Sequence, residues 1–153
     1  MKKIKELKVI NVLWTLFIIL VSSAVLYAQD VTFDGTSCGS ASSGTWTVPC
    51  DVTSITVGVY GGGGGAGGGG GGSDGGVFNT KGGGGAGGGG YSTITINVTP
   101  GSNFSYSAGP GGCGGDNGSD FNDGDSGSAG GASSFSGTDA SGTSIALTAN
   151  GGS

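Results

Sequence analysis

One nine-residue glycine-rich sequence occurs twice in this chain of 153 residues. Residues 62–70 and 82–90 both have the sequence Gly-Gly-Gly-Gly-Ala-Gly-Gly-Gly-Gly, with Ala66 and Ala86 at their centres. Glycine loses more conformational freedom on folding than any other residue, so an ordered glycine segment needs many backbone contacts to compensate. The repeat therefore leaves two alternatives, a disordered glycine loop or an unusual packed backbone structure.

The first 28 residues have the features of a secretory signal peptide. Four lysines precede an apolar run over residues 9–21, and small residues lead to Ala28, after which we predict cleavage. The apolar run is short for a membrane-spanning helix, and an uncleaved N-terminal anchor is the alternative. Residues 29–153 are expected to form one domain that is secreted, extracellular or at the cell surface, and not embedded in a membrane once the signal is removed.

The chain after residue 28 is strongly acidic. It keeps one lysine, Lys81, against nine aspartates and contains no arginine or histidine, which gives a net charge of −8. Binding to nucleic acid needs several basic side chains for the phosphates, so we exclude that class of partner. No histidine is present to activate a serine or cysteine nucleophile, and we predict a non-catalytic protein without an organic cofactor.

Four aspartates lie close together near the end of the chain: Asp116, Asp120, Asp123 and Asp125. Carboxylate oxygens are ligands of Ca²⁺, which makes calcium the one cofactor candidate and these four residues its candidate ligands. The spacing lacks the glycine and terminal glutamate of an EF-hand and is not a repeated Gly-Gly-Xaa-Gly-Xaa-Asp array. A solvated acidic loop is the preferred interpretation.

Outside the glycine segments, apolar and polar residues alternate in short runs. The apolar members are Val31 and Phe33, Trp46 and Val48, alternate residues of 55–59, 94–98 and 104–108, the residues near Phe135, and Ile145 and Leu147. A period of two residues rich in valine, isoleucine and threonine is typical of β-strands. We therefore predict an all-β chain, a small antiparallel, jelly-roll-like β-sandwich with glycine-rich insertions at 61–90 and 109–131.

A turn is predicted where Thr99-Pro100-Gly101-Ser102 separates two alternating runs. Proline followed by glycine suits the two central positions of a type II turn. The sequence therefore predicts a hairpin between residues 91–98 and 103–108.

Strands at both ends of each insertion give the glycine segments a route to order. Polyglycine can form a helix of three residues per turn that rises about 3.1 Å per residue. Two nine-residue arms of this kind can lie antiparallel and exchange backbone hydrogen bonds. Ala66 and Ala86 are then expected on an outer face, where a methyl group is tolerated.

The three cysteines predict one disulfide and one unpaired thiol, because a secreted protein folds in an oxidising compartment. Cys38–Cys50 closes the shorter loop and is the first candidate, and Cys50–Cys113 is the alternative. A zinc site is not expected, because the chain has no histidine and no closely spaced cysteine pair.

The residues between the two arms form the candidate contact site. Phe78, Asn79 and Lys81 interrupt the glycine there, and an aromatic side chain at an exposed tip is suited to contact with a target. Tyr60 and Tyr91 bracket the same insertion and are expected to cap the base of the arms.

Residues 45–63, which begin Thr-Trp-Thr-Val-Pro and end Val-Tyr-Gly-Gly-Gly, resemble the opening segment of the secreted and phage-borne glycine-rich domain family. Residues 98–109 resemble its second signature, and residues 130–135 and 149–152 its closing segments, while Asp51 and Tyr60 depart from the usual pattern. The resemblance implies a β-sandwich with polyglycine II arms, as in tail-fibre adhesins. It also implies surface display, adhesion or ligand contact without shared catalytic residues.

The sequence thus predicts an adhesin-like, secreted surface or matrix protein that contacts a glycan or protein ligand through exposed glycine-rich arms. The alternative is an ice- or polysaccharide-binding protein that uses a flat polyglycine face. A disordered matrix protein is the third hypothesis.

Overall fold

Two antiparallel sheets form the fold in the computed structural model, which describes residues 29–35, 38–72, 82–119 and 122–153. The strands are β1 (Ser42–Thr47), β2 (Ser54–Tyr60), β3 (Tyr91–Asn97), β4 (Asn103–Ala108), β5 (Ser133–Thr138) and β6 (Ser144–Ala149). All six lie in one compact unit, Phe33–Ser153. None of the described residues belongs to a helix long and apolar enough to cross a membrane.

One sheet has four strands in the order β1-β4-β5-β6, and the other consists of β2 and β3. Every pairing is antiparallel. The predicted small all-β sandwich is confirmed. The described glycine-rich residues lie between β2 and β3 and between β4 and β5, so the strands hold both ends of each insertion.

The core contains side chains from both sheets. Burial alternates along β2 and β3, which places Val59 and Ile96 inside and leaves Thr56 and Thr95 exposed. The buried apolar residues are Val48, Val59, Ile96, Val98, Phe104, Phe135 and Ala149. Phe104 is fully buried and stacks on Phe135 with 4.9 Å between ring centroids. Apolar burial at this cluster stabilises the sandwich and therefore the attachment points of the glycine segments.

The predicted hairpin between 91–98 and 103–108 is wrong, although the turn is present. The amide of Ser102 donates to the carbonyl of Thr99 (3.0 Å), and Gly101 has φ of 79°, a conformation that favours glycine. However, β3 pairs with β2 and β4 pairs with β1. The turn carries the chain from one sheet to the other, so local turn chemistry did not determine strand pairing.

The predicted strand at Val31 and Phe33 is also wrong, since residues 29–35 contain no strand. The ring of Phe33 instead stacks on Tyr106 with 3.8 Å between centroids. Side-chain packing rather than strand pairing accounts for this aromatic residue.

The disulfide joins Cys38 to Cys113, with 4.9 Å between their Cα atoms, and Cys50 is exposed and unpaired. Both predicted pairings involved Cys50 and both are wrong. Strand β1 explains the outcome, because it runs antiparallel to β4, with Ser42 opposite Ala108. Cys38 thus lies at the end of β1 where the chain leaves β4 toward Cys113, and Cys50 lies at the opposite end.

Replacing both Cys38 and Cys113 by serine is expected to lower the free energy of unfolding by about 2–4 kcal/mol, because the bond restricts a long loop in the unfolded chain. The matched control is Cys50→Ser, which removes an exposed thiol outside the bridge and should change stability by less than about 0.5 kcal/mol. Denaturant unfolding measures both. A double variant as stable as the unsubstituted protein would contradict the assignment.

Candidate functional site

The glycine-rich insertions form four backbone segments that pack side by side. We call residues 61–72 arm 1, residues 82–90 arm 2, residues 109–119 arm 3 and residues 122–131 arm 4. Main-chain hydrogen bonds join the arms to one another. Arm 1 lies at the centre, because it bonds to each of the other three.

The bonds from arm 1 to arm 2 occur at every third residue. The amides of Gly61, Gly64 and Gly67 donate to the carbonyls of Gly90 (2.9 Å), Gly87 (2.8 Å) and Gly84 (3.0 Å). The acceptor numbers fall as the donor numbers rise, so the two arms run antiparallel, which is the arrangement the repeated sequence predicts.

The other two faces of arm 1 follow the same period. The amides of Gly62, Gly65, Gly68 and Gly71 donate to the carbonyls of Gly131, Ser128, Asp125 and Asn122 of arm 4, at 2.8–3.1 Å. The carbonyls of Gly63, Ala66 and Gly69 accept from Gly112, Gly115 and Gly118 of arm 3, each at 2.8 Å. Three faces repeating every three residues match the three residues per turn of a polyglycine II helix.

Close packing of the arms explains why glycine is required at particular positions. A Cβ atom on Gly65 would overlap the carbonyl oxygen of Cys113, and one on Gly115 would overlap that of Asp125. By contrast, Ala66 and Ala86 are exposed. An outer face is supported for Ala66, whereas Cβ atoms on Gly83 and Gly89, three residues before and after Ala86, would overlap carbonyl oxygens of arm 1. Glycine is therefore a steric requirement where one arm meets the next, rather than a source of flexibility.

The candidate calcium ligands are arranged along arms 3 and 4. The amide of Asp125 donates to the carbonyl of Asp116 (2.8 Å), and both residues are exposed. Asp120 lies outside the described residues. Within the described part of the chain, no three His, Cys, Asp or Glu side chains form a group able to hold a metal ion, and calcium binding stays a prediction.

The predicted contact residues Phe78, Asn79 and Lys81 lie outside the described residues. The described arms fix only where this connection begins and ends, at Gly72 and Gly82.

Tyr60 and Tyr91, which were expected to cap the base of the arms, form an exposed aromatic pair where β2 ends and β3 begins. They face each other across β2 and β3 with 4.5 Å between ring centroids, and their side chains are 69% and 56% exposed. Gly58 lies beside them, since a Cβ atom there would approach the Tyr91 ring to 3.4 Å. The alternation along β2 could have predicted that Tyr60 is exposed, because Tyr60 falls at the same alternate positions as the polar residues, and Val59 falls with the core residues.

The outer face of the β2–β3 sheet surrounds this pair with uncharged polar groups. Its exposed residues are Ser54, Thr56, Gly58, Tyr60, Tyr91, Thr93, Thr95 and Asn97. The hydroxyls of Thr56 and Thr95 hydrogen bond to each other (2.8 Å), and that of Thr93 donates to the carbonyl of Val57 (3.0 Å). The face thus combines two aromatic rings with fixed hydroxyl groups and carries no charge.

The neighbouring phenol changes the acidity of Tyr60. Coulombic repulsion from Tyr91 and a side-chain hydrogen bond to it raise the pKa of Tyr60 above its ordinary value of 10.0. The cause is proximity, because a phenolate at one position disfavours a second charge at the other.

Comparisons with protein families, with curated proteins and with solved structures found no match to this chain. The resemblance to the glycine-rich domain family therefore stays a prediction.

Two adjacent glycines of arm 3 test the packing of the bundle. Gly115→Ala should destabilise the protein by about 1–3 kcal/mol, the usual range for overpacking. It should also speed exchange of the Gly68 amide, because that amide donates to the Asp125 carbonyl oxygen that the new Cβ atom would overlap. Gly114→Ala is the control, because its Cβ would lie 3.6 Å from the nearest atom, the Ala66 carbonyl oxygen. It should be neutral or stabilise by about 0.4–1 kcal/mol through the unfolded chain. Equal effects of the two substitutions would contradict interlocked arms.

The tyrosine pair predicts a pH dependence. Since the pKa of Tyr60 is higher in the folded protein than in the unfolded chain, the resulting stabilisation is present below pH 10.0 and is lost as pH rises through the folded-state pKa. An NMR titration of Tyr60 should show its pKa moving back toward 10.0 in Tyr91→Phe. The more distant Tyr106→Phe serves as the control, and a Tyr60 pKa unaffected by Tyr91→Phe would refute the coupling.

Proposed function

We propose that this protein is a secreted, non-catalytic surface or matrix protein that presents the ends of its arm bundle to a glycan or protein ligand. The observation that carries the proposal is the set of hydrogen bonds at three-residue spacing between the arms. Such a bundle converts glycine segments into a projection with a defined direction.

Bonding between the arms continues far along arm 1. Arms 1 and 4 are still joined by the bond from Gly71 to Asn122 (3.1 Å), ten residues after Gly61 follows β2. At about 3.1 Å per residue, this corresponds to roughly 31 Å. On this proposal the ligand contacts the connection 73–81, with Phe78 and Lys81, which joins Gly72 of arm 1 to Gly82 of arm 2.

Secretion is supported by the disulfide and by the sequence of residues 1–28. The Cys38–Cys113 bond requires an oxidising compartment to persist. The basic start and short apolar run provide the export signal. An extracellular site is consistent with an acidic, soluble domain whose partner is neither nucleic acid nor an anionic membrane.

A neutral polysaccharide bound to the outer face of the β2–β3 sheet, which we call the tyrosine face, is the second candidate. The Tyr60–Tyr91 pair supports it, because an aromatic ring offers an apolar surface with a polar edge that suits the C–H face of a sugar ring. The threonine hydroxyls beside the pair supply hydrogen-bonding groups, and the uncharged face favours a neutral ligand. On this second proposal a neutral polysaccharide binds the sheet, whereas the alternative predicted from the sequence used a flat polyglycine face.

Binding to cells and to an array of neutral polysaccharides distinguishes the two candidates. Phe78→Ala is expected to reduce adhesion at least tenfold if the bundle end makes the contact, while the double variant Tyr60→Ala/Tyr91→Ala retains it. The reverse result would identify the tyrosine face. Adhesion unchanged in both variants would refute both assignments, and thermal hysteresis of the unsubstituted protein would indicate ice binding instead.

A further inference from the structure

A groove runs along arm 1 between arms 2 and 4, and residues 150–153 lie in one end of it. The bonds that hold them run from Gly90 to Asn150 (2.7 Å), from Gly152 to Gly62 (2.8 Å) and from Gly130 to Gly152 (2.8 Å), each from amide to carbonyl. These residues bond to three arms at once, as arm 1 itself does. They therefore act as the beginning of a fifth arm.

The groove continues past Ser153 as an open volume of about 360 Å³. Its walls include Gly65 and Gly68 of arm 1, Gly84 of arm 2, and Gly124 and Gly127 of arm 4. Each of these glycines lies three or six residues from an arm residue that bonds to residues 150–153. Because bonding in the bundle repeats every three residues, carbonyls of arm 1 and amides of arms 2 and 4 line the groove in the same register.

Residues 150–153 also show which side chains the groove accepts. A Cβ atom on Gly151 would overlap the carbonyl oxygen of Gly130, and one on Gly152 would overlap that of Gly87. Asn150 and Ser153, three residues apart, carry exposed side chains. Two positions in every three must therefore be glycine, and the third is free, which defines the pattern Gly-Gly-Xaa.

We propose that the groove that continues past Ser153 is a binding site for a Gly-Gly-Xaa polypeptide segment, bound as a three-residue helix parallel to arm 1. Each triplet donates one backbone hydrogen bond to arm 1 and accepts one from arm 2 and one from arm 4, as residues 150–152 do. The groove lining of arm 1 covers residues 65–70, about 19 Å at about 3.1 Å per residue, which is the length of two triplets.

Recognition by main-chain groups resembles the addition of a strand to a sheet edge, where backbone bonds supply affinity and side-chain pockets supply specificity. Here specificity comes from the exclusion of Cβ atoms at two positions of each triplet. The bonding groups are uncharged, so affinity should depend little on salt concentration. A weak salt dependence would distinguish backbone binding in the groove from binding to the carboxylates of Asp123 and Asp125, which also line it.

The test uses the protein and a fluorescently labelled peptide with three Gly-Gly-Ser triplets. The matched peptide has three Gly-Ala-Ser triplets, with the same length and charge. Fluorescence anisotropy should show that the alanine peptide binds at least tenfold more weakly. Measurable binding of both peptides with equal affinity would overturn the proposal.

Two protein variants place a side chain inside or outside the groove. A Cβ atom at Gly84 or at Gly88 meets nothing within 4 Å, so both positions accept leucine without disturbing the bundle. Gly84 lines the groove and Gly88 does not. Gly84→Leu should reduce binding at least tenfold and Gly88→Leu should leave it unchanged, with amide exchange at Gly68 confirming that both remain folded. Loss of binding in neither variant would also overturn the proposal.

If the free peptides bind too weakly to measure, the same comparison can be made with triplets attached to the protein itself. Two Gly-Gly-Ser triplets added after Ser153 should raise the unfolding temperature, and two Gly-Ala-Ser triplets should not. If neither the free nor the attached peptide shows a preference for glycine, the groove is not such a site. Self-association of the unsubstituted chain that Gly84→Leu abolishes would identify a second copy as the source of the segment.

Discussion

The amide-to-carbonyl hydrogen bonds between arm 1 and its three neighbours are the interaction on which the bundle depends. Glycine has no side chain to bury, so apolar burial contributes little here. One backbone bond contributes about 0.5–1.5 kcal/mol net, against about 1–2 kcal/mol to order each residue. Arm 1 comes near to balance because every residue from 61 to 69 bonds to another arm. Cooperative packing of all four arms, rather than any one pair, is what makes order feasible.

The sandwich supplies what the arms lack. Strands hold both ends of each insertion, and Phe104 and Phe135 at the core fix those strands. The bridge from Cys38 to Cys113 adds a covalent tie between the segment before β1 and arm 3. Fixing these attachment points reduces the entropic cost of ordering the arms, even before any bond between the arms forms. The sandwich is stabilised by apolar burial, whereas the arm bundle is stabilised by main-chain hydrogen bonds.

Local patterns in the sequence predicted the elements better than their partners. The alternation at Ile55–Val59 and the Pro100-Gly101 turn were both correct, because they depend on neighbouring residues. The β3–β4 hairpin and both cysteine pairings failed, because they depend on contacts distant in sequence. The antiparallel pairing of arms 1 and 2 was accessible from the repeat. The bonding of arms 3 and 4 to arm 1 was not predicted, since their sequences carry many non-glycine residues at the tolerant positions.

The three-faced geometry of arm 1 has a consequence for how its length can change. Each face of arm 1 consists of every third residue. One inserted or deleted residue would therefore turn every following residue by about a third of a revolution. Ala66 would then rotate from the outer face toward a neighbouring arm, where a Cβ atom overlaps a carbonyl. Loss or gain of three residues preserves every face. The bundle thus tolerates changes in arm length only in multiples of three residues, which is one whole turn of the polyglycine helix.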